Sequence, residues 1–172
     1  RAGCVWWGLR WVAGRRSRHI LPADALSVAR IPPPADDVPP QCEILRNGQP
    51  TGRRVPGAVL ELSAQWQSFT LLFTTDDTPF EELLHIHLLD AELRLLDSAT
   101  LGGIYSTGSF SLLSSAEPDT LRFRFIGDAD WSVQVLPEAG FRVPLWSEPA
   151  GVSRPLGFRR HFIVRGQPQP ER

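Results

Sequence analysis

The chain has 172 residues, 42% hydrophobic and 22% charged, with a net charge of −1, which suffices for one packed domain and excludes wholesale disorder. The charge is unevenly spread, since residues 1–30 hold six Arg against the single acid Asp24 and the rest of the chain is net acidic. Beyond residue 30 the chain therefore lacks the positive field of a general polyanion binder, and with no nucleic-acid motif in the basic segment no nucleic-acid partner is expected.

Residues 1–54 read as an irregular N-terminal tail in two parts. In the first, Trp6, Trp7 and Trp11 interleave with Arg10, Arg15, Arg16 and Arg18. Such a segment either lies in a lipid interface or docks its indoles on the domain that follows, so a membrane surface is open only to residues 1–30. In the second, Ile31-Pro32-Pro33-Pro34 and Val38-Pro39-Pro40 remove backbone donors and favour extended geometry. Residues 31–54 are expected to form a linker with one short strand at 43–46, followed by a turn at Asn47-Gly48. Cys4 and Cys42 both precede the expected core and fit neither a disulfide scaffold nor a metal finger. They leave the compartment open between the cytoplasm, the first choice, and the cell envelope.

Residues 55–165 carry strand signals at regular intervals. Phe69, Leu71 and Phe73 share one face of a strand over 67–75, and Asp76-Asp77-Thr78-Pro79 forms a turn. The Leu- and Glu-rich stretch 79–96 suits one helix by propensity, but the alternation of His85-Ile86-His87 and Leu93-Arg94-Leu95 predicts strands over 82–89 and 92–97, with at most a short helix near 79–84. A strand follows at 109–113. Leu121, Phe123 and Phe125 alternate with polar residues, as do Trp131, Val133 and Val135 beyond the Gly127–Asp130 turn. Pro137-Glu138-Ala139-Gly140 predicts another turn, into a strand carrying Phe141, Val143 and Leu145, and a last strand spans 158–165. Short strands separated by turns at this spacing predict an all-β fold, an antiparallel β-sandwich or jelly-roll-like barrel, with a polar tail over 166–172. Its expected core holds Phe69, Leu71, Phe73, Ile86, Phe123, Phe125, Trp131, Val133, Val135, Phe141 and Val143.

Two constellations carry candidate chemistry. Arg122, Arg124, Asp128, Asp130 and Trp131 gather about one hairpin as a ligand-binding group, with the indole as a platform. The two-residue period instead puts Trp131 in the core with Val133 and Val135, and makes the charges solvated pairs. The second set is His85, His87, Glu92 and His161. Alternate residues of a strand share a face, so the first two imidazoles can meet one metal ion. Here His85-Ile86-His87 followed by Glu92 resembles the first motif of the cupin family, two His one residue apart and then Glu. Pro155-Leu156-Gly157 ahead of His161 resembles the second. The resemblance implies a jelly roll holding one transition metal, as an enzyme or a sensor. The second motif carries one residue more than the family's spacing, which turns His161 to the opposite face unless a bulge at Gly157 intervenes.

No Gly-x-Ser-x-Gly elbow or phosphate-cradling Gly-rich loop is present, so catalysis finds no support elsewhere. The expectation is a non-catalytic binding module for a protein or small ligand, of the kind a bacterial accessory protein carries, without a cofactor. The cupin-like metalloprotein is the alternative.

Overall fold

A computed structural model of the chain describes residues 19–102, 107–127, 129–143 and 148–166. These residues form thirteen strands and no helix. The strands make three antiparallel sheets stacked as layers, and the central sheet packs against a neighbour on each face.

The central sheet contains β1 (Leu21–Pro22), β5 (Val59–Trp66), β6 (Phe69–Thr75), β7 (Leu84–Leu89), β8 (Leu95–Leu101) and β12 (Val152–Ser153), adjacent in that order. Its inner face presents Leu71, Phe73, Leu84, Ile86, Leu88, Ala99 and Leu101. Against it lies a four-stranded sheet of β13 (Arg159–Arg165), β11 (Asp130–Phe141), β10 (Thr120–Arg124) and β9 (Ser111–Ser114), also in spatial order. This sheet contributes Leu121, Phe123, Trp131, Val133, Val135, Phe162 and Val164. The alternation over 121–125 and 131–135 is thus the inward and outward rhythm of two paired strands, in which Phe123 lies opposite Trp131. The sandwich architecture expected from the strand spacing is present.

The third layer corrects the linker reading of 31–54. Strands β2 (Leu26–Ile31), β3 (Gln41–Arg46) and β4 (Gln49–Pro56) form a meander that covers the outer face of the central sheet. Leu26, Cys42, Ile44 and Val55 pack on Leu72, Leu89 and Leu93 in a second core. The prolines do not oppose this arrangement. Those at 32–34 and 39–40 lie between strands or just before one, while Pro50 and Pro56 fall on β4, an edge strand where a missing N–H can be tolerated. Asn47 and Gly48 take φ of 50° and 77°, the tight hairpin turn their types suggest.

The 79–84 stretch forms no helix, within the limit of at most a short one, and an open loop there leads into β7. Three further expectations change. The strand expected over 92–97 begins only at Leu95, because Asp90 accepts from the backbone amides of Glu92 and Arg94 and holds residues 90–94 as a turn. The turn expected at 137–140 is instead a bulged stretch of β11, whose register against β13 shifts between Val135 and Gly140. Finally, Phe141 and Val143 are exposed rather than in the core, since Phe141 ends β11 beyond its pairing with β10 and Val143 lies past that end. Phe69 is only half-buried, and stacks on Trp66.

Candidate binding cleft

The loop over 76–83 joins β6 to β7 and is closed by its own chemistry. The Glu82 carboxylate accepts from the backbone amides of Asp76 at 2.7 Å, Asp77 at 3.0 Å and Thr78 at 3.1 Å. Consecutive N–H groups converging on one anion form a nest, and here the chain supplies the anion. Thr78 Oγ1 adds a bond to the Glu81 carbonyl at 2.7 Å. Pro79 and Phe80 are held outward as a result, and Phe80 is 78% exposed.

Opposite stands the Pro-rich loop over 32–40, whose base is fixed by pairing of Ile31 with Gln41 and by the Gly57 amide bonding the Pro40 carbonyl at 2.9 Å. Gly57 has φ of 113°, and a Cβ there would lie 2.4 Å from Thr74 Oγ1, so the approach of this connection to β6 requires glycine. Between the loops runs a cleft of about 680 Å³, within the range of small-ligand and side-chain pockets. Val38, Pro39, Pro40, Pro79, Phe80 and Leu83 give it apolar walls. Asp36, Asp37 and Glu81 rim it, and none of these three forms an ion pair among the described residues. Nearby Asp77 is held 3.6 Å from Arg30.

Asp76 forms part of the cleft lining and begins a buried polar chain. Its Oδ1 accepts from His85 Nε2 at 2.7 Å, and His85 Nδ1 shares a hydrogen bond with the Thr100 hydroxyl at 3.1 Å. Acid, imidazole and hydroxyl in series are the parts of a nucleophile relay. The cleft, however, reaches the acid end and is not lined by Thr100. The chain anchors the loop to β7 and β8 rather than presenting a hydroxyl to bound substrate.

His87 lies one position further along the same face, its ring stacked 6.2 Å from that of His85. Thr74 Oγ1 donates to the Pro56 carbonyl at 2.7 Å, so His87 Nε2 acts as the donor to Thr74 Oγ1 at 3.1 Å and to the same carbonyl at 3.3 Å. Burial, and then the neighbouring His85, lower the pKa of His87 to about 3, partly offset by the Pro56 bond.

The metal set is not brought together. His85 and His87 share the outer face of the central sheet, as their spacing predicts, beneath the third layer. Glu92 is exposed in the 90–94 turn and pairs with Arg94. His161 lies on β13 of the opposite sheet, half-buried, between Arg160 and Phe162 which turn inward. The extra residue ahead of His161 thus has the effect its parity suggests. Among the described residues no three His, Cys, Asp or Glu side chains group as metal ligands would.

The hairpin constellation separates as well. Arg122 pairs with Glu117 and Arg124 with Asp130 on the solvated face, while Trp131 is fully buried and donates to the Ile126 carbonyl at 3.0 Å. Asp128 lies outside the described residues. No platform forms.

Sequence reasoning missed the cleft because its two walls are forty residues apart. The signals present were the prolines at 39–40 and the Asp76–Pro79 turn, each legible only as a loop. Comparison with known proteins finds no matching family model, no matching curated protein and no matching solved structure.

Proposed function

We propose that this protein is a non-catalytic binding module that takes an extended cationic segment of a partner protein into the cleft between the 32–40 and 76–83 loops. One observation carries the reading: an apolar cleft walled by proline and the exposed Phe80 is rimmed by three carboxylates that form no ion pair among the described residues. A large apolar group would fill the cleft while flanking Arg or Lys meets Asp36, Asp37 and Glu81, so that burial supplies affinity and charge supplies steering.

The test is titration with short peptides in which an aromatic residue lies between two arginines, against peptides carrying glutamate in their place. The arginine peptides should bind, more weakly as salt rises, and the glutamate peptides should not. Phe80→Ala should weaken binding at least about tenfold, the scale of an interface anchor, and Asp36→Asn with Asp37→Asn should flatten the salt dependence. Binding that ignores all of these changes removes the cleft from consideration.

A further inference from the structure

A second apolar surface lies at the other end of the molecule. Phe141 and Phe158 stack with ring centroids 5.7 Å apart and planes inclined by 2°. They are 69% and 59% exposed, and Leu156 beside Phe158 in the chain is 85% exposed. Pairing of Phe141 with Arg159, and the Arg142 amide bonding the Phe158 carbonyl at 2.8 Å, hold the two aromatics together at the end of the β11–β13 pair. Arg142 and Arg159 flank them, both exposed and without an ion pair among the described residues. The nearest acid along β11 is Glu138. This knob is basic and protruding where the cleft is acidic and hollow.

The two surfaces cannot meet within one chain. Leu83, in the cleft wall, leads into β7 at its start, whereas Leu95, beside Leu156 and Phe158 in the groove under the knob, pairs with Leu89 at the strand's far end. Six residues of strand hold these ends about 20 Å apart. Complementary surfaces at opposite poles of a rigid body meet only between copies, and the contact is heterologous.

We propose that the protein associates head to tail, the Phe141–Phe158 knob of one copy entering the Asp36/Asp37/Phe80 cleft of the next. The inference rests on the cleft reading above and names its occupant as a second copy of the chain. Arg142 and Arg159 then face Asp36, Asp37 and Glu81, and an aromatic ring fills the space between Pro39 and Phe80. Because a head-to-tail pair still retains one free knob and one free cleft, assembly does not stop at a dimer unless the rotation closes a ring.

Sedimentation velocity on the full chain over a wide concentration range tests this. The mass should grow past a dimer with concentration and shrink with added salt. A knob variant, Leu156→Ser with Phe158→Ser, and a cleft variant, Asp36→Arg with Asp37→Arg, should each stay monomeric alone, because all four side chains are exposed and the fold does not depend on them. Mixed in equal amounts, they should form one heterodimer and nothing larger, since the knob variant keeps its cleft and the cleft variant its knob. A wild-type chain that stays monomeric, one that stops at a symmetric dimer, or a mixture no different from its parts would each overturn the proposal. Flotation with phosphatidylserine vesicles that needs Phe141 and Phe158 but ignores the cleft variant would assign the knob to a lipid surface, and would overturn it too. The knob variant distinguishes the two levels of the argument. If it binds the arginine peptides while the wild type never self-associates, the cleft stands and the second copy falls; if no peptide binds either, both fall.

Discussion

Asp97 Oδ2 and Arg154 Nη2 lie 2.6 Å apart although 57 residues separate them in the chain, and both side chains are almost sealed from solvent. The same guanidinium donates to the carbonyls of Ser98 at 3.1 Å and Phe162 at 2.9 Å, and sits 4.2 Å above the Phe162 ring. Asp97 also accepts from the His161 amide at 2.7 Å, while Glu148 and Arg160 complete a cluster of two cations and two anions. The cluster joins β8 of the central sheet to β13 of its neighbour. Removing one member strands the others without water, so Arg154→Leu should lower stability by about 3–5 kcal/mol. Urea unfolding measures it, and a loss under about 1 kcal/mol would show that the cluster is not a clamp.

The two kinds of phenylalanine should behave differently under the same substitution. Phe123 is fully buried and packs edge-on to Phe73 at 5.4 Å, so Phe123→Ala should cost about 3–5 kcal/mol. Phe141→Ala, on the exposed knob, should cost under about 1 kcal/mol. Equal losses in chemical denaturation would mean that one of the two faces is misassigned.

Stability should fall in mild acid through His87. Its pKa is lowered to about 3 in the fold against an ordinary value of 6.5, so between these limits the unfolded chain binds a proton that the native protein refuses. The stabilisation is complete above about pH 6.5 and is lost as pH falls toward 3, at up to about 1.4 kcal/mol per pH unit. His87→Gln, which keeps a donor for the Pro56 carbonyl, should flatten that slope when denaturation midpoints are compared across the range. An unchanged slope would place the titration elsewhere.

A chain starting at Gln41 should lose its cooperative unfolding transition. The cut removes β1 and β2 together with the buried Ile20 and Leu26, and uncovers Ile44, Leu72 and Leu89. Dye binding to exposed apolar surface, with loss of a sharp thermal transition, is the expected signature. A truncated chain that melts cooperatively near the full-length temperature would show that the third layer is dispensable.

The parts of the fold legible from residues alone were those with one wet face and one dry one. Leu121-Arg122-Phe123-Arg124 alternates because β10 meets water on one side, and Trp131-Ser132-Val133-Gln134 keeps the same apolar and polar alternation although Ser132 is buried and Gln134 half-buried. β7 is buried along its whole length, so His85 and His87 stand where a polar face would normally be. Their shared face was readable from parity, but their partners were not. Asp76, Thr74 and Thr100 come from other strands and from the loop end, whereas Glu92 and His161, which a linear motif favoured, lie elsewhere. The third layer was hidden by composition, since β4 buries only Val55 and reads as a polar, Pro-bounded stretch. Nothing in the linear order foretells that Asp97 would meet Arg154, because that pairing depends on how two sheets close on each other.

Glu82 bears on time as well as on shape. With its carboxylate already seated on three amides, the 76–83 wall of the cleft is set in advance, so that on the proposed binding role this loop need not order itself on contact. Association should therefore be governed by encounter rather than by rearrangement, with a rate constant of roughly 10⁵–10⁷ M⁻¹s⁻¹ that climbs as salt is lowered. Affinity differences among partners would then reside in how slowly they leave.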